Sequence, residues 1–172
     1  AATRGEPGDS IVSPKFSLVL GPWAKTEFFF NAGKGFHSND ARGTTISIDP
    51  VSGDPAEPVD PLVAARSIEL GVRAFADDRV NVSATLWRVE LDSELLFIGD
   101  AGNTEASRPS LRYGIGLPLY YRLSGRMTLD VEVSVGESRF TDPDVTGDEI
   151  PGSIDRVLAA GVSFEQPQGF YG

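Results

Sequence analysis

The apolar, alternating segments of this chain are joined by connections of two lengths, and the two lengths take turns. Short turns at Gly21–Lys25, Ala76–Arg79 and Ser124–Arg126 interleave with long polar loops at roughly 37–64, 99–110 and 141–155. In an up-and-down antiparallel sheet every second connection lies at the same end. All the short turns therefore gather at one end of the sheet and all the long loops at the other. A loop of 28 residues (37–64) is also out of place inside a compact soluble domain.

The segments alternate with a period of two, the pattern of strands with one apolar face. Phe16, Leu18 and Leu20 form such a row in Lys15–Gly21, and Phe28, Phe30 and Ala32 do so in Thr26–Gly35, opposite Glu27, Phe29, Asn31 and Gly33. Arg66–Phe75 sets Ile68, Leu70, Val72 and Ala74 against Ser67, Glu69, Gly71 and Arg73. In the next strand Val80, Val82, Ala84 and Leu86 lead into Arg88, Glu90 and Asp92 on the same side. That strand is expected to run on to Ile98, leaving the apolar layer near position 88. Leu111–Leu123, Met127–Ser138 and Arg156–Phe164 bring the count to seven strands. Pro118 in the fifth of these cannot donate to a ladder and is expected at an edge or bulge.

Each apolar row is four or five residues long at matching depth, as the apolar band about 25 Å tall of a membrane barrel requires. Short turns at one end and long loops at the other are a second property of such barrels. The fold class expected is all-β, an antiparallel up-and-down meander of about seven strands forming part of a large transmembrane β-barrel. Aromatic residues near strand ends (Trp23, Phe36, Trp87, Tyr113, Tyr121) suit interface girdles. The competing reading is a soluble β-sandwich, a ligand- or carbohydrate-binding module with its apolar face buried against a second sheet.

Composition removes other classes. A formal net charge of −10 and a pI of about 4.5 argue against a nucleic-acid partner, which requires a basic patch. With no cysteine there is no disulfide framework, thiolate metal site or thiol nucleophile. No run approaches the ~18 apolar residues of a transmembrane helix. Ala1–Asp9 lacks a signal-peptide pattern, so the chain reads as mature or as a piece of a longer one.

Catalytic and metal signatures are missing or incomplete. His37 is the single histidine and makes a poor zinc site without cysteine. Asp142-Pro143-Asp144-Val145-Thr146-Gly147 opens like a calcium loop, but Ser153 stands where the bidentate Glu belongs. Gly114 and Gly116 lack the third glycine and following helix of a dinucleotide site. No enzyme activity, metal or cofactor is expected.

Several stretches together resemble the barrel of TonB-dependent outer-membrane receptors. They are Ser13-Pro14-Lys15-Phe16-Ser17, Asn31 through Gly43 with its Gly33-Lys34-Gly35-Phe36-His37 core, Glu69-Leu70-Gly71-Val72-Arg73, Leu86-Trp87, Asp92-Ser93-Glu94-Leu95, Gly99 through Glu105, and Arg112-Tyr113-Gly114. The resemblance runs from about Ser13 to Val162. It implies a location in the cell outer membrane, in a barrel of about 22 strands around an N-terminal plug. It further implies uptake of a scarce small-molecule nutrient, siderophore-iron or similar, energised by TonB acting through the plug.

This chain shows no plug, no TonB-binding box and none of the family's final strands, so residues 1–172 are expected to be a partial barrel. Its partners would be outer-membrane lipid, the plug and the remaining barrel, with self-association of the open edges as a further expectation. On that reading Glu69, Arg73, Asn81, Arg112, Asp130 and Glu132 face the lumen. Phe36, His37, Asn39, Asp40, Asp100, Asn103 and Thr104 lie at the external rim as candidate ligand-binding residues.

Overall fold

The computed structural model describes residues 9–39, 44–48, 53–55, 58–93, 96–98, 103–105, 108–142, 147–166 and 169, with 96–98 and 103–105 described by backbone alone. Among these residues nine strands form: β1 (Lys15–Trp23), β2 (Thr26–Ser38), β3 (Leu62–Asp77), β4 (Val80–Leu91), β5 (Leu96–Ile98), β6 (Asn103–Glu105), β7 (Ser110–Arg122), β8 (Met127–Phe140) and β9 (Arg156–Phe164). Seven make one antiparallel sheet in the order β1-β2-β3-β4-β7-β8-β9, and β5 pairs with β6 in a separate two-stranded sheet. Apart from that excursion each strand pairs with its sequence neighbour, so the sheet is the expected meander. It is an open sector: among the described residues β1 and β9 pair on one side only.

The register turns local alternation into continuous rows. Leu18, Phe30, Leu70, Leu86, Ile115 and Val135 stand side by side across six strands. The adjacent row toward the short turns is Leu20, Phe28, Val72 and Ala84, continued by Val133 and Leu158 on β8 and β9. These side chains stay in contact with solvent, with Leu70 at 54%, Leu86 at 57% and Leu158 at 75% exposure. Among the described residues the buried apolar side chains are Val63, Leu111, Phe140 and Ile150, and no second layer covers the apolar face. A soluble sandwich would bury that face. A lipid-facing barrel wall exposes it.

The first hairpin shows local chemistry matched to shape. Ala24 and Lys25 both adopt positive φ (49° and 63°) between paired Trp23 and Thr26, the two-residue turn whose twist suits a hairpin. Just before it the register shifts between Leu20 and Trp23. The shift carries Trp23 onto the apolar side, where its ring lies 6.3 Å from Phe28.

Three expectations are corrected. The fourth strand does not run to Ile98: β4 ends at Leu91, the chain bends at Asp92–Ser93, and Leu96–Ile98 pairs instead with Asn103–Glu105. Pro118 sits in a strand with neighbours on both sides. It pairs with Glu132 on β8, while the β4–β7 ladder is interrupted between Val82↔Leu119 and Thr85↔Gly116 without any change of register. The missing N–H thus opens a gap in the ladder and not a bulge. Trp87 lies on the opposite side from the apolar rows, paired with Glu69 and Gly114, and is no part of a girdle.

At the long-loop end Arg108 clamps two connections together. Its guanidinium donates to Asp142 Oδ1 (2.7 Å), the Asp142 carbonyl (2.9 Å) and the Gly147 carbonyl (2.8 Å), and it lies 4.5 Å from the Phe140 ring centre. Arg108→Ala should free the 141–147 connection. Charge-assisted bonds of this kind contribute about 1.5–3 kcal/mol, so amide exchange at Phe140 and Thr141 should accelerate by at least about tenfold while exchange in β3 stays unchanged.

Candidate functional site

The face opposite the apolar rows carries all six residues expected to look inward. Glu69, Arg73, Asn81, Arg112, Asp130 and Glu132 share one side of the sheet in an unbroken register. Arg73 bonds Glu27 on β2 through Nη2 at 2.6 Å and Nε at 3.2 Å, and its guanidinium sits 5.4 Å from the Phe75 ring centre. Asn31 Nδ2 donates to Glu69 Oε2 at 3.4 Å. The Asp130 carboxylate lies over Gly161, its oxygens 2.7–2.8 Å from where a Cβ would stand. This face is therefore polar and cross-linked by side chains between strands.

Between those polar groups runs a flat lane the sequence reading missed. Trp87 projects from β4 across β7 and β8, so a Cβ on Gly114 would stand 2.8 Å from its Cζ2 and one on Gly136 3.1 Å from it. Phe29 covers Gly71 in the same way. The signal was present as glycines recurring in strands beside large aromatics on a polar face, which marks an aromatic ring lying over neighbouring backbone.

The rim candidates separate. Phe36 and His37 are neighbours in β2 and point to opposite sides: Phe36, paired with Ala64, continues the apolar side at 51% exposure, while His37, paired with Val63, belongs to the polar side. Asn39 holds a turn together, its Nδ2 donating to the Asp60 carbonyl at 2.7 Å and its own N–H to the Pro61 carbonyl at 3.0 Å. Its Oδ1 is buried with no hydrogen-bond partner among the described residues. It borders a cleft of about 440 Å³ lined by Ile11, Asp60, Val63, Asp92 and Ser93 among others. Asn103 and Thr104 lie in β6, paired with Ile98 and Phe97. Asp40 and Asp100 fall outside the described residues. Among the described residues no cluster of three or more metal-ligating side chains occurs.

A meander with an exposed apolar wall, a polar and cross-linked opposite wall, and long connections at one end defines a sector of a membrane β-barrel. The model of the TonB-dependent receptor-like β-barrel matches residues 2–172, and the chain belongs to that family, whose members are outer-membrane transporters and not a class of enzymes. No curated protein sequence matches. Among solved structures it is similar to the FrpB iron transporter from Neisseria meningitidis (F3-3 variant), with 18% identity and a TM-score of 0.59 over 91% of this chain and 24% of that one. The alcaligin outer-membrane receptor FauA of Bordetella pertussis shows 18% identity and a TM-score of 0.56 over 90% of this chain and 26% of its own. The chain thus spans about a quarter of the length of these structures, and the likeness concerns fold.

Proposed function

We propose that this chain is a sector of the barrel of an outer-membrane active transporter that takes up an iron–siderophore or similar scarce nutrient with energy from TonB. The remaining strands of the barrel cover the open edges of β1 and β9, and a plug packs against the polar face. The carrying observation is the two-faced wall, with exposed apolar rows on one side and Glu69, Arg73, Asn81, Arg112, Asp130 and Glu132 on the other. The names of the two similar structures, an iron transporter and an alcaligin outer-membrane receptor, support a scarce-nutrient substrate. Open sheet edges are not tolerated in lipid, so a sector without partners would pair with another copy.

His37, Asn39, Asp40, Asp100, Asn103 and Thr104 form the proposed contact set at the external rim, with Phe36 on the outward side of the same strand. Alanine at the six positions in the full-length receptor should weaken ferric-siderophore binding by about tenfold or more, the loss of one or two bonds to charged groups. Phe36→Ala separates the two sides of β2 and should change affinity by less than about threefold. Fluorescence-quench titration reads both. Unchanged affinity in the sixfold variant would remove the rim from the ligand path.

A further inference from the structure

The β4–β7 ladder steps from Val82↔Leu119 to Thr85↔Gly116, so the pairs Ser83–Pro118 and Ala84–Leu117 are missing. On the other side of β7 the ladder to β8 is unbroken from Ser110↔Phe140 to Arg122↔Thr128, and Pro118↔Glu132 is part of it. In an antiparallel strand the N–H and C=O of one residue address the same neighbour, and successive residues address opposite neighbours. Pro118 has no N–H to give. Because the β8 ladder is intact beside it, Pro118 turns its main-chain groups toward β4. The acceptor left without its ladder donor is therefore the Ser83 carbonyl. A single missing bond accounts for both missing pairs, since it belongs to Ser83–Pro118 and also frames Ala84–Leu117.

This carbonyl lies at the depth of the apolar rows. Ala84, the next residue, stands in the row of Leu20, Phe28 and Val72, and Val82 and Leu117 are exposed on the same side. Hydrocarbon supplies no hydrogen-bond donor, and an unmet backbone acceptor is costly. The bond has to be completed from the opposite, polar side. There Ser83, Thr85, Glu132 and Ser134 alternate in phase with Glu69 and Arg73: Thr85 and Ser134 flank Gly116, and Glu132 stands beside Pro118. Among the described residues, no atom beyond its chain neighbours lies within 4 Å of where a Cβ on Gly116 would stand. The approach to the gap from that side is open.

Resting on the barrel reading above, we infer that the gap opposite Pro118 is a water site in the barrel wall, where one water molecule enters from the lumen side and donates to the Ser83 carbonyl. An ordered buried water makes about three hydrogen bonds and needs a polar, roomy setting. The Glu132 carboxylate and the hydroxyls of Ser83, Thr85 and Ser134 supply the further acceptors and donors. The carbonyl lies in the plane of the sheet, recessed below the side chains around it, a depth that a water reaches more readily than a bulky side chain. A bridging water is nearly as favourable in enthalpy as a direct bond. It restores at this level the link between β4 and β7 that proline removes.

The test is solid-state NMR on the full-length receptor in lipid bilayers, isotope-labelled at the Ser83 and Thr85 carbonyls. Magnetisation from water should reach the Ser83 carbonyl ahead of that of Thr85, which keeps its ladder partner Gly116. Pro118→Ala restores the N–H and should abolish the difference. The amide introduced at position 118 should exchange at least about fivefold slower than an unbonded amide, the worth of one ladder bond. A crystal structure of the unaltered receptor, which needs no variant, should show a water about 2.8 Å from the Ser83 oxygen. A Ser83 carbonyl no closer to water than that of Thr85, a difference that survives Pro118→Ala, or a plug N–H in place of the water would each overturn the inference. Transfer from lipid acyl chains to the Leu70 and Leu86 methyls, read in the same samples, tests the barrel reading separately.

Discussion

Leu70→Arg is expected to cost about 2–4 kcal/mol in bilayer-embedded stability, the range for arginine on the lipid face near the midplane of a barrel. Leu70 occupies the centre of the row that runs from Leu18 to Val135, and its side chain is 54% exposed in the isolated sector. In water an exposed leucine replaced by arginine gains solubility. In lipid the same change places a charge in hydrocarbon. Ser134→Arg is the matched control on the opposite side, beside Gly116, and should fall within about 0.5 kcal/mol of the parent. Urea unfolding of the full-length barrel in lipid vesicles measures both. Equal tolerance of the two arginines would mean that the apolar rows do not face lipid.

The second large effect concerns two glycines separated by one residue on the polar side of β7. Gly114→Ala should destabilise by about 1–3 kcal/mol, the usual cost of overpacking. Its Cβ would stand 2.8 Å from the Gly136 Cα and 2.8 Å from Trp87 Cζ2, and would also strike the Val135 carbonyl. Because two of these neighbours are backbone, removing the indole in a Gly114→Ala/Trp87→Ala pair should recover only part of the loss. Gly116 has open space around its virtual Cβ, so Gly116→Ala should be neutral or stabilise by about 0.5–1 kcal/mol, the strand penalty that glycine carries relative to alanine. Thermal unfolding of the three variants gives opposite signs for Gly114→Ala and Gly116→Ala. A destabilised Gly116→Ala or an undisturbed Gly114→Ala would mean that the space around the two glycines is not divided in this way.

Much of the sheet was legible because strand alternation is a local property. Phe28, Phe30 and Ala32 must share a side whatever they pair with, and so must Glu69 and Arg73. The segregated loop lengths then dictated a meander, and the register placed all six polar residues on one face. Trp23 and Trp87 show where that logic runs out. A register shift after Leu20 turns Trp23 to the apolar side, while Trp87, grouped with the aromatic girdle by its place near a strand end, stays in phase with Ser83 and Thr85 on the polar side. The break at Asp92–Ser93 was equally hidden, since Leu96–Ile98 reads as strand and only its partner, Asn103–Glu105, decides that it leaves the main sheet. Phe36 and His37 were grouped by proximity in sequence, yet adjacent strand residues point to opposite faces.

The sequence alone determined the period of two, the number of main strands, the ends at which short and long connections gather, and the side on which each strand is apolar. These follow from backbone geometry and from the chemistry of consecutive residues. Register, by contrast, depends on residues far apart in the chain. It set Trp87 over Gly114 and Gly136, placed Arg108 between Asp142 and Gly147, and lined up Leu18, Phe30, Leu70, Leu86, Ile115 and Val135 across six strands. A one-residue slip in any ladder would move a whole strand's side chains to the other face. Such neighbours exist only once the strands have paired.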